Sequence, residues 1–213
     1  MTTPRPSQPI RLYNTPLSGH GHRVALFMSL LDLPYETINL NMQAGDNLRP
    51  EFLAINPFGQ VPVIEDGDVR ITDSTAILVY LALRYADPAW LPRDPVDAAA
   101  VQRWLSLASG QIAYGPNQAR LVKVFGAPHD YARAYATALK LFELLDHEFS
   151  TRAFAIGATP TIADIAAYSY IALAPEGDIS LEPYPHLRAW LSRVEALPRF
   201  LARPKLPPKA IAA

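Results

Sequence analysis

The sequence predicts an α/β domain with a mixed sheet, followed by an all-helical domain. Three observations predict it. Short β-like runs alternate with helical periods as far as Ala86. The stretch Asp87 to Pro95 contains three prolines and few apolar groups, and reads as a linker. Every apolar run beyond it repeats at helical spacing.

Ile10 to Asn14 is a short strand that ends in a loop, Thr15 to Gly21. His22 to Leu31 then places Val24, Phe27, Met28 and Leu31 on one helical face. Tyr35 to Leu40 alternates as a strand does and stops before the polar loop Gln43 to Arg49. Glu51 to Ile55 is a short helix closed by Asn56-Pro57. Val61 to Glu65 and Val69 to Thr72 flank Asp66-Gly67-Asp68, a hairpin signal. Asp73 to Tyr85 is a helix with Ile77, Leu78 and Leu81 inward. A βαβ unit followed by a ββα unit gives a mixed sheet with helices on its faces, a thioredoxin-like outline.

In the second half, Trp104, Leu105, Ala108 and Ile112 form one helical stripe, and Tyr131, Tyr135, Leu139, Phe142 and Leu145 another. Ile165 to Leu173 and Leu187 to Leu197 supply two more. The expected domains are 8–86, a linker at 87–95, a helical domain at 96–205 and a Pro-rich tail at 206–213.

Composition narrows the function. Half of the 213 residues are apolar and 18% are charged, with a net charge of −1, so the chain folds into a real core. A near-neutral surface gives no reason to expect nucleic acid or an anionic membrane as partner. With no cysteine there is no disulfide framework, zinc-thiolate site or protein thiol nucleophile. Met1 to Pro9 lacks a signal-peptide apolar run, and Val24 to Leu33 is too short to span a bilayer. The expected location is therefore cytoplasmic.

Three places could carry chemistry. The loop Thr15 to Val24 leads into the first helix, whose free N–H groups and dipole favour an anion. Ser18 adds a hydroxyl there, although Ser18 and Gly19 are equally suited to a plain turn and helix cap. Pro62 lacks the N–H a ladder needs and should sit at a strand start. If the Val61–Pro62 bond is cis, the main chain of Val61 faces outward and can pair with a peptide-like ligand; a trans proline would simply open an edge strand. Asp73 and Ser74 open the third helix. Together they suit the ammonium and carboxylate of an α-amino acid, or cap the helix. His20-x-His22 has no further ligand at metal-site spacing, so no metal is expected and hydrogen bonding near the loop is the preferred role. Thr161-x-x-Asp164 is a capping-box variant that serves folding.

Taken in order, these features resemble the cytosolic glutathione transferase family, in its serine-type, plant-like and theta-like bacterial branch. The resemblance rests on the serine-bearing loop, Asn56-Pro57-Phe58-Gly59-Gln60-Val61-Pro62, Asp73-Ser74-Thr75-Ala76-Ile77, the Thr161-to-Asp164 box and Tyr184-Pro185-His186-Leu187-x-x-Trp190-Leu191. It covers nearly the whole chain. It implies a cis Pro62, Val61 paired with the cysteinyl backbone of glutathione, Asp73 and Ser74 on its γ-glutamyl end, and Gln60 close by. Family members activate the thiol with Tyr, Ser or Cys. Counting back from Arg23-Val24 aligns Ser18 with the family serine, while Tyr13 falls one residue out of step and is the reserve. Where the plant-like pattern has His-Lys, this chain has Asp46-Asn47-Leu48-Arg49. Asn47 and Arg49 are then the candidates for the glycyl carboxylate.

The expected function is a glutathione transferase acting in detoxification. Glutathione is its co-substrate, and a small hydrophobic electrophile is bound near Tyr114, Asn117 and Arg120. The alternatives are a glutathione-dependent peroxide or disulfide reductase and a non-enzymatic ligand-binding module. The loop lacks the Ser-Ser-x-Cys pattern of the isomerase branch, which ranks maleylacetoacetate-type isomerisation low. A homodimer through the third helix and the first helix of the second domain is also expected.

Overall fold

The computed structural model describes Pro4 to Arg203 and Leu206. Strands β1 (Ile10–Asn14), β2 (Tyr35–Asn39), β3 (Val63–Asp66) and β4 (Val69–Thr72) form one sheet in the order β2-β1-β3-β4. β1 is parallel to β2 and antiparallel to β3, and β3 is antiparallel to β4, so the sheet is mixed as expected. Helices α1 (Gly19–Leu30), α2 (Pro50–Leu53) and α3 (Ser74–Tyr85) belong to this first domain. Helices α4 (Pro95–Ser109), α5 (Gln118–Phe125), α6 (Tyr131–Phe149), α7 (Ile162–Ala172) and α8 (Pro185–Glu195) build the second.

The period of two along a strand divides the first core into two layers. Ile10, Leu12 and Ile64 bury against α1 and α3, among Val24, Phe27, Ile77 and Leu81. Tyr13 and Val63 point to the opposite face and pack on Phe52 of α2. The registers Asn14↔Asn39, Tyr13↔Val63 and Val63↔Thr72 bring the ends of β1, β2 and β4 to the start of β3. One edge of the sheet therefore gathers the β1–α1 loop, the β2 exit, the turn before β3 and the start of α3. Crevices outside the carboxyl ends of strands are where α/β sheets bind ligands.

Helix α7 is the axis of the second domain. Each residue from Ile162 to Ile171 is buried, as a helix apolar on all sides must be. It packs on α4 and α8 within its own domain and on α1 and α3 of the first. Its start is fixed by a capping box between Thr161 and Asp164. The buried Asp164 carboxylate also accepts from the Ala155 N–H and the Trp190 indole, each at 2.8 Å. Burial raises its pKa, and these hydrogen bonds oppose that rise.

His22 ties the domains together. Its Nε2 donates to the Leu201 carbonyl at 2.8 Å, so Nδ1 accepts from Ser169 of α7 at 2.9 Å and the ring is neutral. Burial lowers its pKa to about 4, with the nearby Arg203 and Arg23 adding to the effect and the Leu201 bond opposing it.

Several expectations need correction. α1 begins at Gly19, three residues before the expected start, because Ser18 caps it. Val61 and Pro62 lie outside the ladder, which begins at Val63. α2 starts at Pro50, a residue suited to the first helical turn, and ends at Leu53. The expected linker contains a short 3₁₀ turn, Pro88–Trp90, whose Trp90 ring meets Phe27 edge-on at 5.1 Å. Gly115-Pro116, a pair that sequence rules expect to break or kink a helix, instead lies in a π-helical turn, Ala113–Asn117, leading straight into α5. α5 itself was not expected, and α7 begins three residues early, at Ile162. Of the expected tail, Leu206 is described and residues 207–213 lie outside the described residues. Among the described residues no helix is long and apolar enough to cross a membrane.

Two histidines, His22 buried and His20 half-buried, fix a pH dependence. The pKa of His22 falls from 6.5 to about 4 and that of His20 to about 3, both chiefly through burial. Depressed values in the folded state mean that the unfolded chain binds the extra protons. The stability contributed is complete above pH 6.5 and is lost as pH falls toward the folded values. Chemical unfolding followed between pH 7 and 5 should show a decline approaching ~1.4 kcal/mol per pH unit for each histidine, and His22→Gln should remove about one proton from the slope. An identical slope in His22→Gln would refute this assignment.

Candidate functional site

Two adjoining hollows lie at the sheet edge described above. The larger, about 870 Å³, is walled by the β1–α1 loop, the β2 exit and α5. The smaller, about 280 Å³, is walled by the turn before β3 and the start of α3. His20, Gln60 and Val61 border both.

Ser18 is the N-cap of α1. Its Oγ accepts from the Gly21 N–H at 3.1 Å, which satisfies one of the free donors at the helix start. The hydroxyl hydrogen has no acceptor among the described residues, and Ser18 lines the larger hollow. Cap and donor are thus compatible roles: an oxygen that accepts from the helix is left with a proton to give to the hollow.

Tyr13 is not brought there. Strand alternation turns it to the α2 face, where its hydroxyl donates to Glu65 at 2.9 Å beside Phe52. Burial raises its pKa, and the Glu65 carboxylate adds to the rise.

The turn before β3 is held by two asparagines. Asn56 donates to the Gln60 carbonyl at 2.8 Å and accepts from the Phe58 N–H at 3.2 Å. Asn47 donates to the Gly59 carbonyl at 2.8 Å. Gly59 has a φ of 59°, a conformation open to glycine at little cost. The Val61–Pro62 peptide bond is cis. The ladder starts with the pair Tyr13↔Val63, so Val61 sits ahead of the sheet and borders both hollows.

Asp73 caps α3 from a positive φ of 68°. Such a backbone costs of order 1–3 kcal/mol for a residue with a side chain. Three donors onto Oδ1 offset it: the N–H groups of Thr75 and Ala76 at 2.8 and 3.0 Å, and the Thr75 hydroxyl at 2.5 Å. Burial works to raise the Asp73 pKa, but these bonds and His20 outweigh it and hold the carboxyl low. Oδ2 has no donor among the described residues. Ser74 is buried beneath it, with Oγ at 3.3 Å from His20 Nδ1 and accepting from Arg23 at 3.4 Å. Arg23 is fully buried, and burial lowers its pKa to about 10.

Of the other expected residues, Gln60, Val61, Asn117 and Arg120 line the larger hollow, and Gln60, Val61, Pro62, Asp73 and Ser74 the smaller. Asn47 is spent on Gly59, and Arg49 pairs with Asp46 at 2.9 Å beside a separate cleft that Tyr13 also lines. Tyr114 is exposed and does not line the hollow. Arg120 is buried and bridges the domains, donating to Glu176 at 2.5 Å and to the Leu17 carbonyl at 3.2 Å. The sequence reading did not single out Tyr170, Phe125, Leu121 or Met42, all on the wall of the larger hollow. Three of these are apolar side chains that look like core, and Tyr170 hides in the helical period of α7.

Residues 8–83 match the family model for the glutathione S-transferase N-terminal domain, and residues 119–198 that for the C-terminal domain. Glutathione S-transferase 3 of Zea mays is 31% identical, with 94% of this chain and 96% of the relative covered. Glutathione S-transferase Z2 of Arabidopsis thaliana is 32% identical over 90% of this chain and 88% of its own. Among solved structures, a glutathione S-transferase from Pseudomonas fluorescens superimposes with a TM-score of 0.87 at 29% identity, covering 92% of this chain and 99% of the other. A glutathione transferase homologue of Drosophila mojavensis, solved with bound glutathione, gives 0.80 at 29% identity, with 89% of each chain covered.

Proposed function

The chain belongs to the glutathione S-transferase family, and from that premise we propose that it activates glutathione through the hydroxyl of Ser18. One observation carries the reading: the Ser18 oxygen is occupied by the helix while its hydrogen has no acceptor among the described residues, at the wall of a hollow shared with Val61. The peptide of glutathione aligns against the main chain of Val61, as an added strand would. Oδ2 of Asp73 takes the γ-glutamyl ammonium. Ser74, at the N-terminus of α3, supports the neighbouring carboxylate, with the buried Arg23 below it. Gln60 faces the middle of the peptide. Asn47 acts indirectly by holding Gly59, and Arg49, paired with Asp46 beside a separate cleft, would have to leave that pair to reach the glycyl end.

Ser18 donates to the sulfur and lowers the thiol pKa. A free thiol titrates near ~8.5, and one hydrogen bond to a charged group supplies roughly 1.5–3 kcal/mol, about one to two pH units. The thiolate attacks an electrophile whose apolar part rests on Leu121, Phe125 and Met42, with Asn117 and Arg120 supplying polar contacts. In a substitution a new S–C bond replaces the bond to the leaving group. The role of Tyr114 falls away in this arrangement, since it stands outside the hollow.

A homodimer is the accompanying proposal. Leu83 on α3 and Val96 on α4 are large apolar side chains exposed on the two helices that would meet across a two-fold axis. Size-exclusion chromatography with light scattering should return twice the chain mass at micromolar concentration; a monomer mass would end that proposal.

Ser18→Ala tests the activation. The bound thiol, titrated by its thiolate absorbance, should move up by about one to two pH units, with glutathione affinity changed less than tenfold. An unchanged titration would remove Ser18 from the mechanism.

A further inference from the structure

Tyr170 reaches the same helix start from the other domain. It is buried on α7, and its hydroxyl oxygen accepts from the His20 N–H at 3.3 Å, with the Gly19 N–H beside it. Its ring is clamped on several sides. The His20 ring meets it edge-on at 4.9 Å, and the Arg23 guanidinium lies 5.7 Å from its centroid. Gly19 permits the approach: a Cβ there would stand 2.6 Å from a Tyr170 ring carbon. The phenol is thus seated on the first turn of α1, where Ser18 also sits.

The donor count follows. A phenol has one hydrogen to give. Its oxygen is occupied by the helix N–H groups, and among the described residues no acceptor takes its hydrogen. Tyr170 lines the larger hollow together with Ser18 and Val61. We propose that Tyr170 donates a second hydrogen bond to the glutathione sulfur, so that the thiolate is held by one hydroxyl from each domain. This rests on the reading of the hollow as the glutathione site. Burial raises the Tyr170 pKa, with Arg23 and the helix N–H groups opposing, so the phenol stays protonated and able to donate across the working range.

The arrangement makes thiol activation depend on the domains being docked, since α7 carries one donor and the β1–α1 loop the other.

The test is the titration of bound glutathione by thiolate absorbance in four forms: wild type, Tyr170→Phe, Ser18→Ala and the double variant. Tyr170→Phe should raise the thiol pKa by about one unit, a tenfold loss of thiolate below the pKa, and the double variant should approach the free value near ~8.5. Site-specific fluorotyrosine at position 170 keeps the ring and the hydroxyl but is more acidic. It should shift the thiol pKa down, which a merely structural tyrosine would not do. A pKa identical to wild type in both the phenylalanine and fluorotyrosine proteins would overturn the proposal. If Ser18→Ala has no effect while Tyr170→Phe does, the serine reading fails and Tyr170 stands as the donor. If glutathione does not bind the wild-type chain at all, the site reading fails and this inference falls with it. Should Tyr170→Phe fold poorly, the fluorotyrosine shift decides alone.

Discussion

The first turn of α1 is the constraint around which this molecule is arranged. A helix that starts at a sheet edge presents N–H groups with no partner inside the helix. Here one is met by Ser18, from the loop before the helix, and another by Tyr170, from a helix some hundred and fifty residues away in the chain. Both partners accept with oxygen, and neither hydroxyl hydrogen has an acceptor among the described residues. A structural need at the helix end therefore produces a pair of donors beside a cavity. In the proposed reaction those are the groups that would stabilise a thiolate.

The second domain is built so that this happens. α7 is buried on all sides and rich in alanine, which lets it approach α1 and α4 closely. Asp164 fixes its start by joining Thr161, Ala155 and Trp190 through one carboxylate. His22 then locks α1 to α7 through Ser169 and to the chain beyond α8 through Leu201. Arg120, bonded to Glu176 and Leu17, is a second strut across the same seam. The large hollow lies between these fixed walls, so its shape depends on the docking of the domains.

Much of the fold was legible because local rules decide it. Strand alternation, the Asp66-Gly67-Asp68 turn and the Thr161–Asp164 box each act over a few residues. The misses were of two kinds. α5 follows a proline and glycine that usually interrupt a helix, and the π-helical turn that carries the chain through them is not a local propensity. Tyr13 and Tyr170 show the other kind. Tyr13 sits in the right strand but on the wrong face, which alternation could have indicated once Leu12 was assigned to the core. Tyr170 belongs to an apolar helical stripe, and only its contact with Gly19 across the domain seam marks it as different. Asn47 illustrates the same limit: its amide suits a ligand carboxylate, but a long-range partner, the Gly59 carbonyl, takes it.

The most direct measurement is a crystal structure of the chain with glutathione bound. The account predicts the sulfur in the larger hollow, within hydrogen-bond reach of the Ser18 hydroxyl, with the cysteinyl main chain paired to Val61 and the γ-glutamyl end at Asp73. A sulfur lodged beside Tyr13 and Phe52 on the opposite face of the sheet, or a glutathione peptide that does not touch Val61, would contradict it.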